Sequence, residues 1–152
     1  MMVDTNNQYD VHRKFAVECF NGTWDLLDKK NRTPEDSTQM IHMAHASRYH
    51  WGEIGTPLNF ARGDWQISRV YATLGEFQNA LTYAKSCLQL CQDHGFDDFD
   101  LAFAYEALAR AYAVAGNTAA RDQHLELAKA AGEAIEKDDD KGYFFSQLAT
   151  IS

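Results

Sequence analysis

Apolar residues recur along most of this chain at steps of three and four, the spacing that builds one face of an α-helix. Between residues 77 and 94 the stripe is Phe77, Ala80, Leu81, Ala84, Leu88 and Cys91. Between 97 and 115 it is Leu101, Ala104, Tyr105, Leu108, Ala111, Tyr112 and Ala115. Between 34 and 54, Met40, Ala44, Ser47, Trp51 and Ile54 share one side. No strand-like alternation and no hairpin dipeptide competes with these patterns. The polar residues that interrupt them act as punctuation. Thr33-Pro34-Glu35-Asp36 carries an N-cap, a proline at the first helical position and acid in the first turn, and Thr56-Pro57 repeats the device. Gly55, Gly75, Gly95 and Gly116 follow one another at intervals of 20, 20 and 21 residues. A glycine just past a periodic run supplies the left-handed residue that closes a helix. The pattern predicts helices at about 8–30, 34–54, 57–74, 77–94, 97–115 and 118–136, with a short last helix at about 142–150. The opening MMVDTNNQYD reads as a frayed start, and the acidic run Asp138 to Lys141 as the one linker-like stretch.

Within this series one heptapeptide frame occurs twice. RVYATLG, Arg69 to Gly75, returns 41 residues later as RAYAVAG, Arg110 to Gly116. Each copy closes the first helix of a predicted helix pair. Tyr71, Gly75 and Ala80, and again Tyr112 and Gly116, fall at positions that resemble the tetratricopeptide family of helix–turn–helix repeats. The second copy departs from that pattern at Arg121, where the family has an alanine. Both copies lack its early Trp-x-x-Leu-Gly signature, and the period is longer than the family's usual one. The resemblance spans roughly residues 57–136. It implies an all-α fold of antiparallel helix pairs, 8–54, 57–94 and 97–136, stacked as a short right-handed superhelix with a capping helix at 142–150. It also implies a concave surface lined by the first helix of each pair.

Composition narrows the function classes. At 152 residues the chain suits a single domain able to bury a core without disulfides. Its net charge of −8 argues against nucleic-acid backbones and anionic membrane surfaces as partners, because both require clustered Lys and Arg. Three cysteines, Cys19, Cys87 and Cys91, are an odd number and poor material for a disulfide framework. With no signal peptide or apolar run of membrane-spanning length, the expected location is cytoplasmic. Cys87 and Cys91, four apart on an apolar stripe, read as buried small hydrophobes rather than a redox pair.

Two polar constellations remain. His42, His45 and His50 crowd one predicted helix with Tyr49 and Glu53. At about 100° per residue, His42, His45, Tyr49 and Glu53 share one sector opposite the Met40 stripe. One reading makes this a metal site or small catalytic centre, and another a pocket of His42, His45, Tyr49 and His50 that binds without metal; the competing reading is a solvated or partner-facing polar face. The chain has no HExxH, ExxH or CxxC, so no metal or cofactor is expected. G-x-S-x-G, P-loop and dinucleotide motifs are missing as well. The second constellation is the polar face of the paired first helices. Asn59, Arg62, Gln66, Arg69 and Thr73 share a sector on helix 57–74, flanked by Trp65. Phe99, Phe103, Glu106 and Arg110 share one on helix 97–115. Arg69 and Arg110 hold equivalent positions in the repeated frame, so both would point into the same groove. Arginine forks suit carboxylates or phosphates, and exposed aromatics suit peptides. The alternative for Arg110 is an ion pair with Glu106, four residues earlier. The function expected is a non-enzymatic interaction module that binds a peptide, protein segment or small anionic ligand in its concave face. A homodimer using that face is the remaining option for a partner.

Overall fold

The computed structural model describes residues 5–152, with side chains from Asn7 onward. The described chain is all-α. Seven helices follow in order: α1 (Thr5–Leu27), α2 (Pro34–Ile54), α3 (Pro57–Thr73), α4 (Phe77–His94), α5 (Asp98–Ala115), α6 (Thr118–Glu133) and α7 (Asp138–Leu148). The expected fraying of residues 1–4 lies outside the described residues, and from Thr5 the chain is already helical. α1 to α6 match the predicted segments to within three residues at each end.

The caps explain most boundaries. Thr33 opens α2 with a reciprocal box: the Asp36 amide donates to Thr33 Oγ1 at 3.1 Å, and the Thr33 amide donates to the Asp36 carboxylate at 3.0 Å. α4 and α5 end at Gly95 and Gly116, and the turn after α3 is made by Gly75; all three are left-handed, with φ of +67°, +75° and +79°. Gly55 departs from the expectation. Its φ is −94°, in the extended region, and α2 stops there because Pro57 cannot continue it. Gly55 is needed for a different reason: a Cβ would lie 2.7 Å from the Trp51 carbonyl and 2.9 Å from Asn59 Oδ1.

Helices pack in antiparallel pairs, α1 with α2, α3 with α4 and α5 with α6. The second helix of each pair also rests on the first helix of the next, α2 on α3 and α4 on α5. First helices touch one another, α1 with α3 and α3 with α5. Small residues allow this closeness: Ala61, Ala72, Ala80, Ala84, Ala104, Ala107 and Ala111 are all buried at these contacts. Cys87 and Cys91 are buried beside Ala61 and Ala104, in keeping with their reading as core residues.

The largest difference from the sequence reading lies at the C-terminal end. Asp138, Asp139 and Asp140 are no linker; they form the first turn of α7, where negative charge meets the positive end of the helix dipole. α7 packs on α5 and α6, burying Phe144 and Leu148 among Ala102, Phe103, Ala128 and Ile135. Gly132 on α6 permits this approach, since a Cβ there would collide with the Phe144 ring. Asp98, at the start of α5, accepts the Glu136 amide at 3.2 Å and ties down the turn before α7. As a result α5 is buried on nearly every side.

Candidate functional site

Three of the first-position helices, α1, α3 and α5, together with α7, surround an open chamber of about 200 Å³. Its walls are mostly aromatic: Phe20 and Trp24 from α1, Trp65 from α3, Phe99 and Phe103 from α5, and Tyr143 from α7. The rings hold one another in place. Trp24 and Trp65 lie 5.5 Å apart between centroids. Phe103 meets Trp65 edge to face at 5.4 Å and lies tilted against Phe99 at 4.6 Å. Such geometry gives a carbon-lined recess with fixed walls.

A second, polar chamber of about 460 Å³ adjoins it. Trp24 and Tyr143 line both spaces, and Leu27, Asp28, Arg69, Thr73 and Gln147 complete the second. Behind Arg69 lies Glu106, which is fully buried and lines neither chamber. One carboxylate oxygen receives Arg110 Nε at 2.8 Å and Arg69 Nη2 at 3.3 Å. The other receives Trp65 Nε1 at 3.1 Å. Arg110 also donates to the Gln147 carbonyl at 3.1 Å and to Thr150 Oγ1 at 2.7 Å, while Arg69 donates to Gln147 Oε1 at 3.0 Å. Burial pulls the Arg69 guanidinium below its ordinary value; Glu106 opposes that and the Arg110 cation adds to it.

Arg69 and Arg110 thus do converge, as their equivalent positions predict. They are not free forks on an open face, however: their side chains are only 12% and 15% exposed, because both are ion-paired to Glu106 and roofed by α7. Phe103 is core rather than groove surface alone. Gln66 is fully buried and donates to the Phe20 carbonyl at 2.9 Å, joining α3 to α1. Asn59 accepts the Thr56 amide at 3.0 Å and serves the start of α3. Arg62 is exposed and engages Asp100 through two bonds, 2.9 and 3.2 Å, at the edge of the aromatic chamber. Of the residues singled out in the sequence, Arg62, Trp65, Arg69, Thr73, Phe99 and Phe103 line one or other of the two chambers, and Glu106 and Arg110 set the charge behind Arg69. Asn59 and Gln66 do not line them.

Sequence reasoning missed Phe20, Trp24, Tyr143 and Gln147. Phe20 and Trp24 are four apart on α1, a spacing that signals a shared face. Tyr143 and Gln147 have the same spacing on α7, in the segment 142–150 read only as a short capping helix.

The histidine group does not converge. His42 is exposed. His45 turns toward α3 and α4, sharing a hydrogen bond with the Tyr71 hydroxyl at 2.8 Å and meeting the Tyr83 ring edge on. His50 faces α1, where its Nδ1 lies 2.8 Å from His12 Nδ1, with Phe15 and the exposed Tyr49 against its ring. Among the described residues no three His, Cys, Asp or Glu side chains come together as a metal site. His45 and His50 are therefore contacts between helices rather than one solvated face. Desolvation lowers the pKa of both, helped by His42 beside the first and His12 beside the second.

Among the described residues no helix is long and apolar enough to cross a membrane. Comparison with family models, with curated proteins and with solved structures gives no match to this chain in any of the three.

Proposed function

We propose that the chain is a non-enzymatic binding module, a long-period relative of the tetratricopeptide-like repeats, that holds a ligand in the groove between α1, α3, α5 and α7. The observation that carries this reading is the aromatic chamber: about 200 Å³ of open, carbon-lined space whose aromatic side chains come from four helices. Pockets of this make-up, mostly apolar with a few convergent polar groups, are the usual form of a ligand site. Binding is favoured over catalysis because the buried carboxylate next to the chamber, Glu106, already receives donors from Arg69, Arg110 and Trp65. A carboxylate so saturated is a poor general base. The repeat kinship is supported by the packing order, in which each second helix rests on the next first helix, and by the twice-used Arg-x-Tyr-Ala frame. The ligand is a peptide segment or a small anionic molecule, met in the cytoplasm.

The test is selection of binders from a peptide-display library and a small-molecule collection, followed by amide chemical-shift mapping. Binders are expected to perturb residues around Phe20, Trp24, Phe99 and Tyr143 together. Binders that map only to the outer faces of α2, α4 and α6 would reject the groove.

A further inference from the structure

Resting on the groove reading above, the two adjoining chambers differ in a way that specifies a ligand. We infer that the groove takes a small organic acid, with an apolar ring body in the aromatic chamber and its carboxylate against Arg69 in the polar one. The aromatic chamber sets the body. An apolar cavity of about 150 Å³ is enough to take benzene. The chamber here, about 200 Å³, has room for a larger ring system between Trp24, Trp65 and Phe99.

Arg69 sets the head group. A guanidinium has N–H donors on every nitrogen. Among the described residues Arg69 makes its bonds to Glu106 and Gln147 through Nη2 alone; its Nη1 bonds nothing, while the unpartnered Nε is closed off by burial. Arg69 and Arg110 are also two cations sharing one bonded carboxylate, Glu106, and the Asp28 carboxylate in the polar chamber bonds neither. The other cation near the groove offers no such excess, because Arg62 is matched by Asp100. An incoming carboxylate on the Arg69 side supplies the missing charge and accepts donors that nothing in the chain now uses. Trp24 and Tyr143, which line both chambers, place that head within one short linker of the ring. Asp28 lines the polar chamber too; it is exposed and makes no bond to Arg69, so it acts there as a weak competitor for the cation.

The probes are 2-naphthylacetate, its neutral counterpart 2-naphthylacetamide, and acetate, titrated calorimetrically into the full chain. The acid is expected to bind about tenfold tighter than the amide, the scale of one charge-assisted contact, with acetate alone too weak to register. Arg69→Gln is expected to erase the preference for the acid while retaining the amide. Should that variant not fold, Asp28→Asn decides: removing the exposed competitor should tighten the acid by about threefold and leave the amide unchanged. Equal affinity of acid and amide in the wild type overturns the carboxylate assignment and leaves the apolar groove standing. Acetate binding as tightly as the naphthyl acid overturns the role of the aromatic chamber. No binding of either naphthyl probe overturns the inference as a whole, while the groove itself is then judged by the mapping of selected binders.

Discussion

The two copies of the Arg-x-Tyr-Ala-x-x-Gly frame begin alike and end up in different chemistry. Both close a helix in the same way. Gly75 and Gly116 are left-handed, the Glu76 and Asn117 amides reach back to the Tyr71 and Tyr112 carbonyls at 2.9 and 3.0 Å, and the glycine amides bond Ala72 and Ala113 at 3.1 Å. The difference lies four residues before each arginine, where the first copy has Trp65 and the second has Glu106. Arg110 therefore finds its carboxylate on its own helix and donates further to Gln147 and Thr150. Arg69 has a tryptophan there instead, with its guanidinium 5.5 Å from the Trp65 ring, and must borrow the neighbour's carboxylate. One substitution between repeats turns an ion pair made within one helix into one made across two. It also ties the repeats together, because Glu106 bonds both Arg69 and Trp65 of the preceding copy.

The strongest way to break the comparison is to remove the shared anion. Glu106→Gln leaves two poorly solvated guanidiniums facing a neutral amide. Loss of one partner from a buried ion pair costs about 3–5 kcal/mol. We expect a loss of that size in urea unfolding, with both copies affected because both arginines depend on Glu106. A loss below about 1 kcal/mol, the level of a surface pair, would show that the carboxylate is not the joint between repeats.

The next test separates the arginines. Arg110→Ala removes the shorter contacts to Glu106 and also the bonds to Gln147 and Thr150 that hold α7. Arg69→Ala leaves Glu106 still paired with Arg110 and Trp65. We expect about 2 kcal/mol for the first and about 1 kcal/mol for the second, by the scale of hydrogen bonds to charged groups. The reverse order in chemical denaturation would mean that Arg69 is a structural member of the core and not the spare cation.

Helix existence and order were legible because caps and periodicity are local: the Thr33–Asp36 box, Pro34, Pro57 and the glycines act within a turn of where they stand. The convergence of Arg69 and Arg110 was legible from their shared frame, and the i, i+4 order of Glu106 and Arg110 announced their ion pair. The roof was not legible. α7 begins with three aspartates, a run that looks solvated in sequence and becomes a favourable helix start only when Phe144 and Leu148 have α5 and α6 to pack against. Once that helix docks, a face with Phe103, Glu106 and Arg110 changes from groove to interior. His45 failed for the same reason: its rotation placed it opposite the Met40 stripe, yet α2 meets two neighbours, and the second of them, α3, presents Tyr71. Periodicity finds one buried side of a helix and is blind to the next element that buries another.

A smaller effect checks that the two frames share one backbone. A Cβ at Gly75 or Gly116 would meet nothing within 4 Å, so substitution there strains only the left-handed backbone. Gly75→Ala and Gly116→Ala should each cost about 1 kcal/mol, equally at the two sites. Markedly unequal melting temperatures would mean that the turns differ in more than their sequence position.

The smallest expected effect lies at the tyrosines. Tyr71 of the first frame meets His45, with Tyr83 stacked alongside, whereas Tyr112 of the second packs beside the His124 ring. The pKa of His45 is lowered in the fold, first by desolvation, then by His42, with Asp64 acting the other way. The sign follows from linkage. Below its unfolded pKa of about 6.5 the unfolded chain binds a proton that the folded chain resists, so stability falls as pH drops from about 6.5 toward the lower folded value and is flat above it. His50, desolvated beside His12, adds to the same window, while Glu53 weakens its shift. The melting temperature should therefore decline modestly between pH 7 and 5, and His45→Phe and His50→Phe should each flatten part of that slope. Tyr71→Phe provides the sharper check. It removes the hydroxyl but keeps the ring that excludes water, so the contribution of His45 to the slope should survive. If Tyr71→Phe flattens the profile as fully as His45→Phe does, the hydrogen bond and not desolvation sets the titration of His45.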